Sequence, residues 1–170
     1  MRAFIEAIKL FLTDRLGVHL GVLLCSMVPI IELRGAIPLG AALSLPWWQS
    51  YLFAVLGNMI PVPFILLFIT KFIGWMQRSR VAFFNKVGAW LMNKAEKNRG
   101  KIEKYSFFGV CLFVAVPLPV TGAWTGSLVA AVIGMRFWKA FFSCLLGVML
   151  AGVIMTLASY GVVAALSGLA

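Results

Sequence analysis

Hydrophobic positions along this chain fall into four runs without a single Asp, Glu, Lys or Arg: 16–31, 35–70, 105–135 and 140–170. A helix crossing about 30 Å of hydrocarbon needs about 20 residues. The last run predicts one span over 138–165, with small residues Gly147, Ala151 and Gly152 suited to close helix packing. A second span is expected over 47–70. It opens on Trp47 and Trp48, an aromatic pair of the kind that sits at a membrane interface. Pro61 and Pro63 are expected to kink or break its second half.

The other two runs are interrupted. In 105–135, Pro117 and Pro119 stand in the middle with Gly122, Gly126 and Gly134 beyond them. The piece from Tyr105 to Val116 would reach only about 18 Å at about 1.5 Å per residue, too little to cross. The stretch 18–46 behaves alike, broken by Pro29, Gly35, Pro38 and Gly40 and ending at Pro46. Both read as re-entrant hairpins that enter the bilayer, turn near its middle and leave by the same face, with breaks at Pro29, Pro38, Pro117 and Pro119. A pair of proline-kinked full spans is the alternative.

A repeat supports the hairpins. Trp48, Tyr51, Leu52, Leu56, Gly57 and Met59 match Trp138, Phe141, Phe142, Leu146, Gly147 and Met149 at an offset of 90, and Pro29 matches Pro117 at 88. Each copy begins with an amphipathic stretch. Phe4, Ala7, Ile8, Phe11 and Leu12 oppose Arg2, Glu6, Lys9 and Thr13 in the first; Phe83, Phe84, Val87, Trp90 and Leu91 oppose Asn85, Lys86, Asn93 and Lys94 in the second. That helical period suits an interfacial helix. The predicted fold is therefore an all-α integral membrane protein of one domain, 1–170, built as an inverted repeat. Each unit is an amphipathic helix, a re-entrant hairpin and a transmembrane helix: repeat 1 over 1–75, a basic loop over 76–104, and repeat 2 over 80–170. One true crossing per unit places the second copy on the opposite side, as in many secondary transporters.

Composition agrees: 62% of the residues are hydrophobic and 12% charged, against about 45–50% and 25% in soluble domains. Soluble enzymes, secreted disulfide scaffolds and disordered tails are excluded. Cys25, Cys111 and Cys144 are scattered in apolar runs and form neither a disulfide framework nor a metal motif. The net charge of +10 is concentrated, nine of fifteen basic residues lying between Lys71 and Lys104. In a membrane chain such a surplus sets orientation, with no nucleic acid implied. The 71–104 loop is expected in the cytoplasm, the second hairpin leaves there at Arg136 and Lys139, and the uncharged C-terminus ends outside. Membrane-impermeant thiol reagents should then label single cysteines at 46–49 and at 136–139 from opposite sides. Labelling from one side would overturn the hairpin reading.

Glu32 and Arg34 follow Pro29 at the first hairpin's expected tip, in otherwise uncharged surroundings. Ionisable groups at that depth are costly and mark a pathway or a pair; a purely structural ion pair is the plainer possibility. The second tip, Thr121, Gly122, Ala123, Trp124, Thr125 and Gly126, is uncharged yet polar. A helix restarting there would aim free N–H groups and a positive dipole end inward, favouring an anion. The plainer reading is a glycine-rich turn whose threonines bond their own backbone. The two tips are expected to meet around a small polar cavity. His19, the sole histidine, reads as a packing or interfacial residue, and a metal site or cofactor is not expected. No catalytic set can be assembled from five acids, so the chain is not read as an enzyme.

Glu32-Leu33-Arg34-Gly35-Ala36-Ile37-Pro38, with Pro117-Leu118-Pro119 and Thr121-Gly122-Ala123-Trp124-Thr125-Gly126, resembles the signature of the small multidrug export family, a group similar to the DedA superfamily. The resemblance runs over nearly the whole chain. It implies two inverted re-entrant hairpins flanked by tilted spans in a prokaryotic inner membrane, and proton-dependent movement of polyprenyl phosphate or phospholipid between leaflets. Typical DedA proteins carry arginines and acids in and beside both hairpins, whereas 105–135 is uncharged here and Arg136 lies just beyond.

Three functions are open on the sequence. A proton-coupled translocase of an anionic amphiphile would use Arg34 and the second tip (Thr121, Gly122, Trp124, Thr125, Gly126) for the head group and Glu32 for the proton. An exporter of lipophilic cationic drugs would use Glu32 as counter-charge and Trp124 as a cation–π wall. A non-transporting membrane scaffold would need neither. The expected partners are membrane lipids, a lipid-phosphate substrate and a second copy in a homodimer.

Overall fold

The computed structural model describes residues 15–78, 99–117 and 121–167, and every element among them is a helix. In chain order these are α1 (Arg15–Met27), α2 (Glu32–Ala42), α3 (Trp47–Met59), α4 (Pro61–Arg78), α5 (Arg99–Ala115), α6 (Ala123–Val132) and α7 (Phe137–Ser167). The amphipathic stretches expected at 4–13 and 83–94, much of the basic loop, and Pro119 lie outside the described residues. Among the described residues, two apolar helical stretches are long enough to cross a membrane, Trp47–Ile69 and Phe137–Ala165. The shorter apolar helices Gly17–Met27, Tyr105–Ala115 and Ala123–Val132 are not: the longest would reach under about 20 Å. α1 ends at the Val28–Pro29 step because proline disfavours helix in the residue before it and donates no hydrogen bond. The expected break in the first span falls at Ile60, and Pro61 then opens α4, a position where its missing N–H costs nothing.

Pro38 corrects an expectation. It lies inside α2 and does not break the hairpin. The helix tolerates it by giving up the ladder bond from position 38 to the Arg34 carbonyl, while Leu43 N–H still reaches Leu39 O at 3.0 Å beyond it. Pro29, by contrast, sits in the non-helical turn 28–31, and Pro117 just past the end of α5.

The chain packs as two units, residues 1–60 with 149–170, and residues 61–148. In the first, α1 packs on α2 and α3, and α2 on α3, around buried Val22, Leu33, Ala36, Ile37 and Ala54. Tyr160 fastens the end of α7 to this unit: its hydroxyl donates to Leu45 O at 2.7 Å and lies 2.6 Å from Ser50 Oγ. In the second unit α6 packs on α4 and α5, with Val110, Val114, Ala123, Ala130 and Cys144 buried. Ser143 Oγ donates to the Phe107 carbonyl.

The sequence offsets reappear as matching local geometry. Leu43, Ser44 and Leu45 N–H bond to the carbonyls of Leu39, Ala41 and Gly40; Ile133, Gly134 and Met135 bond to those of Val129, Ala131 and Ala130, each partner shifted by 90. The turning residue is left-handed in both, Ser44 at φ 59° and Gly134 at φ 75°. The α3 and α7 glycines are also matched. Gly57 lies against the Leu23 carbonyl and Ser26, and Gly147 against the Cys111 carbonyl and Val114, contacts shifted by 88. The two caps make a direct test. A left-handed non-glycine residue costs about 1–2 kcal/mol, so Ser44→Gly should raise thermal stability in detergent micelles and Gly134→Ala should lower it by about 1 kcal/mol. Equal effects in the same direction would sink the matched-cap reading.

Candidate functional site

Glu32 starts α2 from the Pro29 turn, its N–H bonded to Val28 O at 2.9 Å. Its φ of 49° puts a non-glycine residue in the left-handed region, a conformation that persists where the surroundings impose it and that clusters at functional sites. Leu33, Ala36, Ile37 and Ala41 bury the inner face of α2. This packing carries the Glu32 side chain inward, to 5% exposure. Arg34 is half-buried, close enough for the Glu32 carboxylate to attract its guanidinium. No other charged residue occurs between 16 and 60 or between 149 and 170. Buried carboxylates are tolerated when paired, and Arg34 is the one other charged residue in these two stretches of sequence.

The second tip is a tightly self-bonded turn. Thr121 Oγ1 donates to Val116 O at 2.8 Å, closing the loop from α5 to α6. Gly122 N–H donates to Thr125 Oγ1 at 3.0 Å, half of a capping box. Gly126 is buried where an added Cβ would collide with Val114. Thr121, Thr125, Gly122 and Gly126 thus shape the turn. Trp124, half-buried, faces a groove of about 570 Å³ shared with Phe64, Phe68, Leu128 and Lys71, the last its one charged wall. Glu32 and Arg34 belong to one packing unit and Thr121–Gly126 to the other.

His19 is a packing residue, as expected. Its Nε2 lies 2.9 Å from Gln49 Oε1 and its ring meets Phe53 edge-on at 4.8 Å, tying α1 to α3.

Asn58 escaped the sequence reading. It is fully buried in α3, and neither amide atom has a hydrogen-bond partner, although the group can donate two bonds and accept two. Its signal was present, because the offset of 90 pairs Asn58 with Val148 inside an otherwise matching motif. Thr156 is the second omission, 8% exposed with an unpartnered hydroxyl.

The family described as "Putative small multi-drug export protein" matches residues 32–154. The chain belongs to this family. No curated protein and no solved structure matches it. The small multi-drug export match opens on Glu32 itself and takes in Arg34, Asn58 and Trp124, while Thr156 and Tyr160 fall beyond its end. Membership, with the two long apolar helices, makes this a membrane protein of an export family.

Proposed function

We propose that this small multi-drug export protein moves an amphiphile with an anionic head group, such as polyprenyl phosphate or a phospholipid, across the inner membrane, coupled to protons. The observation that carries the reading is the Glu32–Arg34 pair, a buried carboxylate on a left-handed residue beside a half-buried guanidinium in uncharged surroundings. An anion at such depth is tolerable where a fixed positive charge awaits it, and a guanidinium offers a planar fork of donors matched to phosphate. Glu32 is the group that exchanges the proton. Lys71 on the apolar Trp124 groove supports the same choice, since a cation there favours an anionic head and repels a cationic drug. No catalytic step is part of this reading.

The test is flux in reconstituted vesicles carrying a labelled polyprenyl phosphate and, separately, a labelled lipophilic cation. Movement of the phosphate and not of the cation is expected. Movement of the cation alone would replace this reading by drug export with Glu32 as counter-charge. If neither moves, the scaffold reading stands.

A further inference from the structure

α2 and α3 are joined by a short turn and pack against each other within the first unit. An added Cβ on Gly40 would run into Ser50 Oγ, so the two helices touch there. Four residues back along α2 and four forward along α3 stand Ala36 and Ala54, both fully buried. Four more reach Glu32 and Asn58, about 12 Å along each axis from the Gly40–Ser50 contact. Residues four apart share a helix face, so this antiparallel register sets Asn58 level with Glu32. Both are buried, at 0% and 5% exposure. Yet neither amide atom of Asn58 has a hydrogen-bond partner, while the Glu32 carboxylate attracts Arg34. The proton count accounts for this mismatch. An ionised carboxylate only accepts, so it can meet Asn58 Nδ2 and never Oδ1, whereas a neutral carboxyl both donates and accepts. With an amide the neutral form makes two opposed hydrogen bonds, O–H to Oδ1 and Nδ2–H to the carboxyl C=O.

We propose that Asn58 is the partner of protonated Glu32, which alternates between an ion pair with Arg34 and a two-bond pairing with the Asn58 amide. In the step between them a hydronium ion gives its proton to one carboxylate oxygen and leaves as water, and the negative charge is cancelled. Asn58 is thus a positioning residue for the proton site. Arg34 then offers its guanidinium to an anionic head group, so protonation and head-group binding favour each other. That last step rests on the proposed translocation; the Glu32–Asn58 pairing does not. The other titratable groups of this unit have partners or stand elsewhere. Arg15 opens α1 at its far end. His19 is held by Gln49, Tyr51 by Met149 O and Tyr160 by Leu45 O. The half-buried Cys25 thiol is a weak donor and acceptor that cannot replace the amide.

The test is a thermal-unfolding cycle on the purified full chain in micelles at neutral pH, comparing the native protein, Glu32→Gln, Asn58→Val and the double variant. Glutamine keeps position 32 permanently neutral and able to pair with an amide, and valine is the residue at the matching position 148. Asn58→Val should leave the melting temperature of the native chain unchanged or raised, because no bond is lost. In the Glu32→Gln background it should lower that temperature by roughly 2–4 °C, the shift of about one hydrogen bond at this chain length. Asn58→Leu, closer to asparagine in size, repeats the cycle where valine leaves a void. The same sign in both backgrounds overturns the pairing. So does a native-background loss with valine and leucine alike, which would assign the amide a structural bond. Infrared difference spectra on acidification give the second readout. A protonated-carboxyl C=O band that Glu32→Gln removes is expected, displaced to higher wavenumber by Asn58→Val or Asn58→Leu as its hydrogen bond is lost. No such band, or a band that both substitutions leave in place, overturns the inference. If the pairing holds and labelled phosphate does not move in vesicles, the translocation reading falls alone; if phosphate moves and the pairing fails, this inference falls alone.

Discussion

Arg34→Lys is expected to lower the flux of labelled polyprenyl phosphate by roughly ten- to a hundredfold. Hydrogen bonds to charged groups contribute about 1.5–3 kcal/mol each, and every 1.4 kcal/mol is about tenfold. Lysine keeps the charge but replaces a rigid fork of donors by a compact ammonium, so what is lost is the two-pronged grip on phosphate oxygens. Glu32→Gln should leave head-group binding in place and abolish the dependence of flux on an imposed pH gradient, since glutamine fills the same volume and cannot titrate. For a cation exporter the order inverts, with Glu32→Gln the damaging change and Arg34→Lys the mild one. Removing the carboxylate also leaves the Arg34 charge less compensated, so melting temperatures must be followed alongside flux. Glu32→Gly separates the two causes, because it deletes the carboxylate while relieving the left-handed backbone at φ 49°. If both side-chain variants lose melting temperature and the native protein moves no phosphate, the pair is structural.

The largest expected effect on folding belongs to Gly57. A methyl group built there would run into the Leu23 carbonyl oxygen as well as Ser26 Oγ. A side-chain hydroxyl can rotate aside, but a carbonyl within α1 cannot move without shifting the helix that carries it. Overpacking costs about 1–3 kcal/mol in ordinary cores, and collision with backbone puts Gly57→Ala at the upper end. Gly147→Ala follows, with its added carbon 2.7 Å from the Cys111 carbonyl oxygen. Gly109 and Gly161 provide the controls, because nothing lies within 4 Å of a carbon added at either. Alanine there should be neutral or slightly stabilising, given its higher helix propensity. Size-exclusion profiles and thermal unfolding in micelles decide the matter, and equal behaviour of Gly57→Ala and Gly109→Ala would refute the close approach of α1 and α3.

Much of this frame could be read from the residues. The two long apolar helices fall within charge-poor sequence, and their starts fall at or beside Trp47 and Trp138, the residues that the aromatic anchor and the sequence repeat single out. Pro29 and Pro117 stand at two turns, where the missing N–H and the ring's clash with the preceding residue favour a break. Pro38 misled because a single missing ladder bond is affordable where the rest of a helix is buried, and that burial is a tertiary fact. At the first tip, charge in an uncharged run made Glu32 and Arg34 conspicuous, but nothing in the pattern announces that Glu32 adopts a left-handed backbone. At the second tip the threonines drew attention as ligand donors, and the hydroxyl partners turn out to be the tip's own backbone. Thr156 carries no mark in the sequence, and Asn58 only its mismatch with Val148: a polar residue on a long helix becomes informative when its partners are known to be missing.

The boundaries of the two packing units cut across the order of the sequence. α4 belongs by sequence to the first copy yet packs on α6 of the second, while the end of α7, from the second copy, is fastened by Tyr160 to Leu45 and Ser50 of the first. Residues 149–170 therefore complete a unit whose other members lie more than 85 residues earlier in the chain, so a cut in the 79–98 stretch would leave neither fragment with a whole unit. At the sequence offset of 90, Glu32, Arg34 and Asn58 stand opposite Gly122, Trp124 and Val148, so the charged and amide groups lie on one side of that comparison alone.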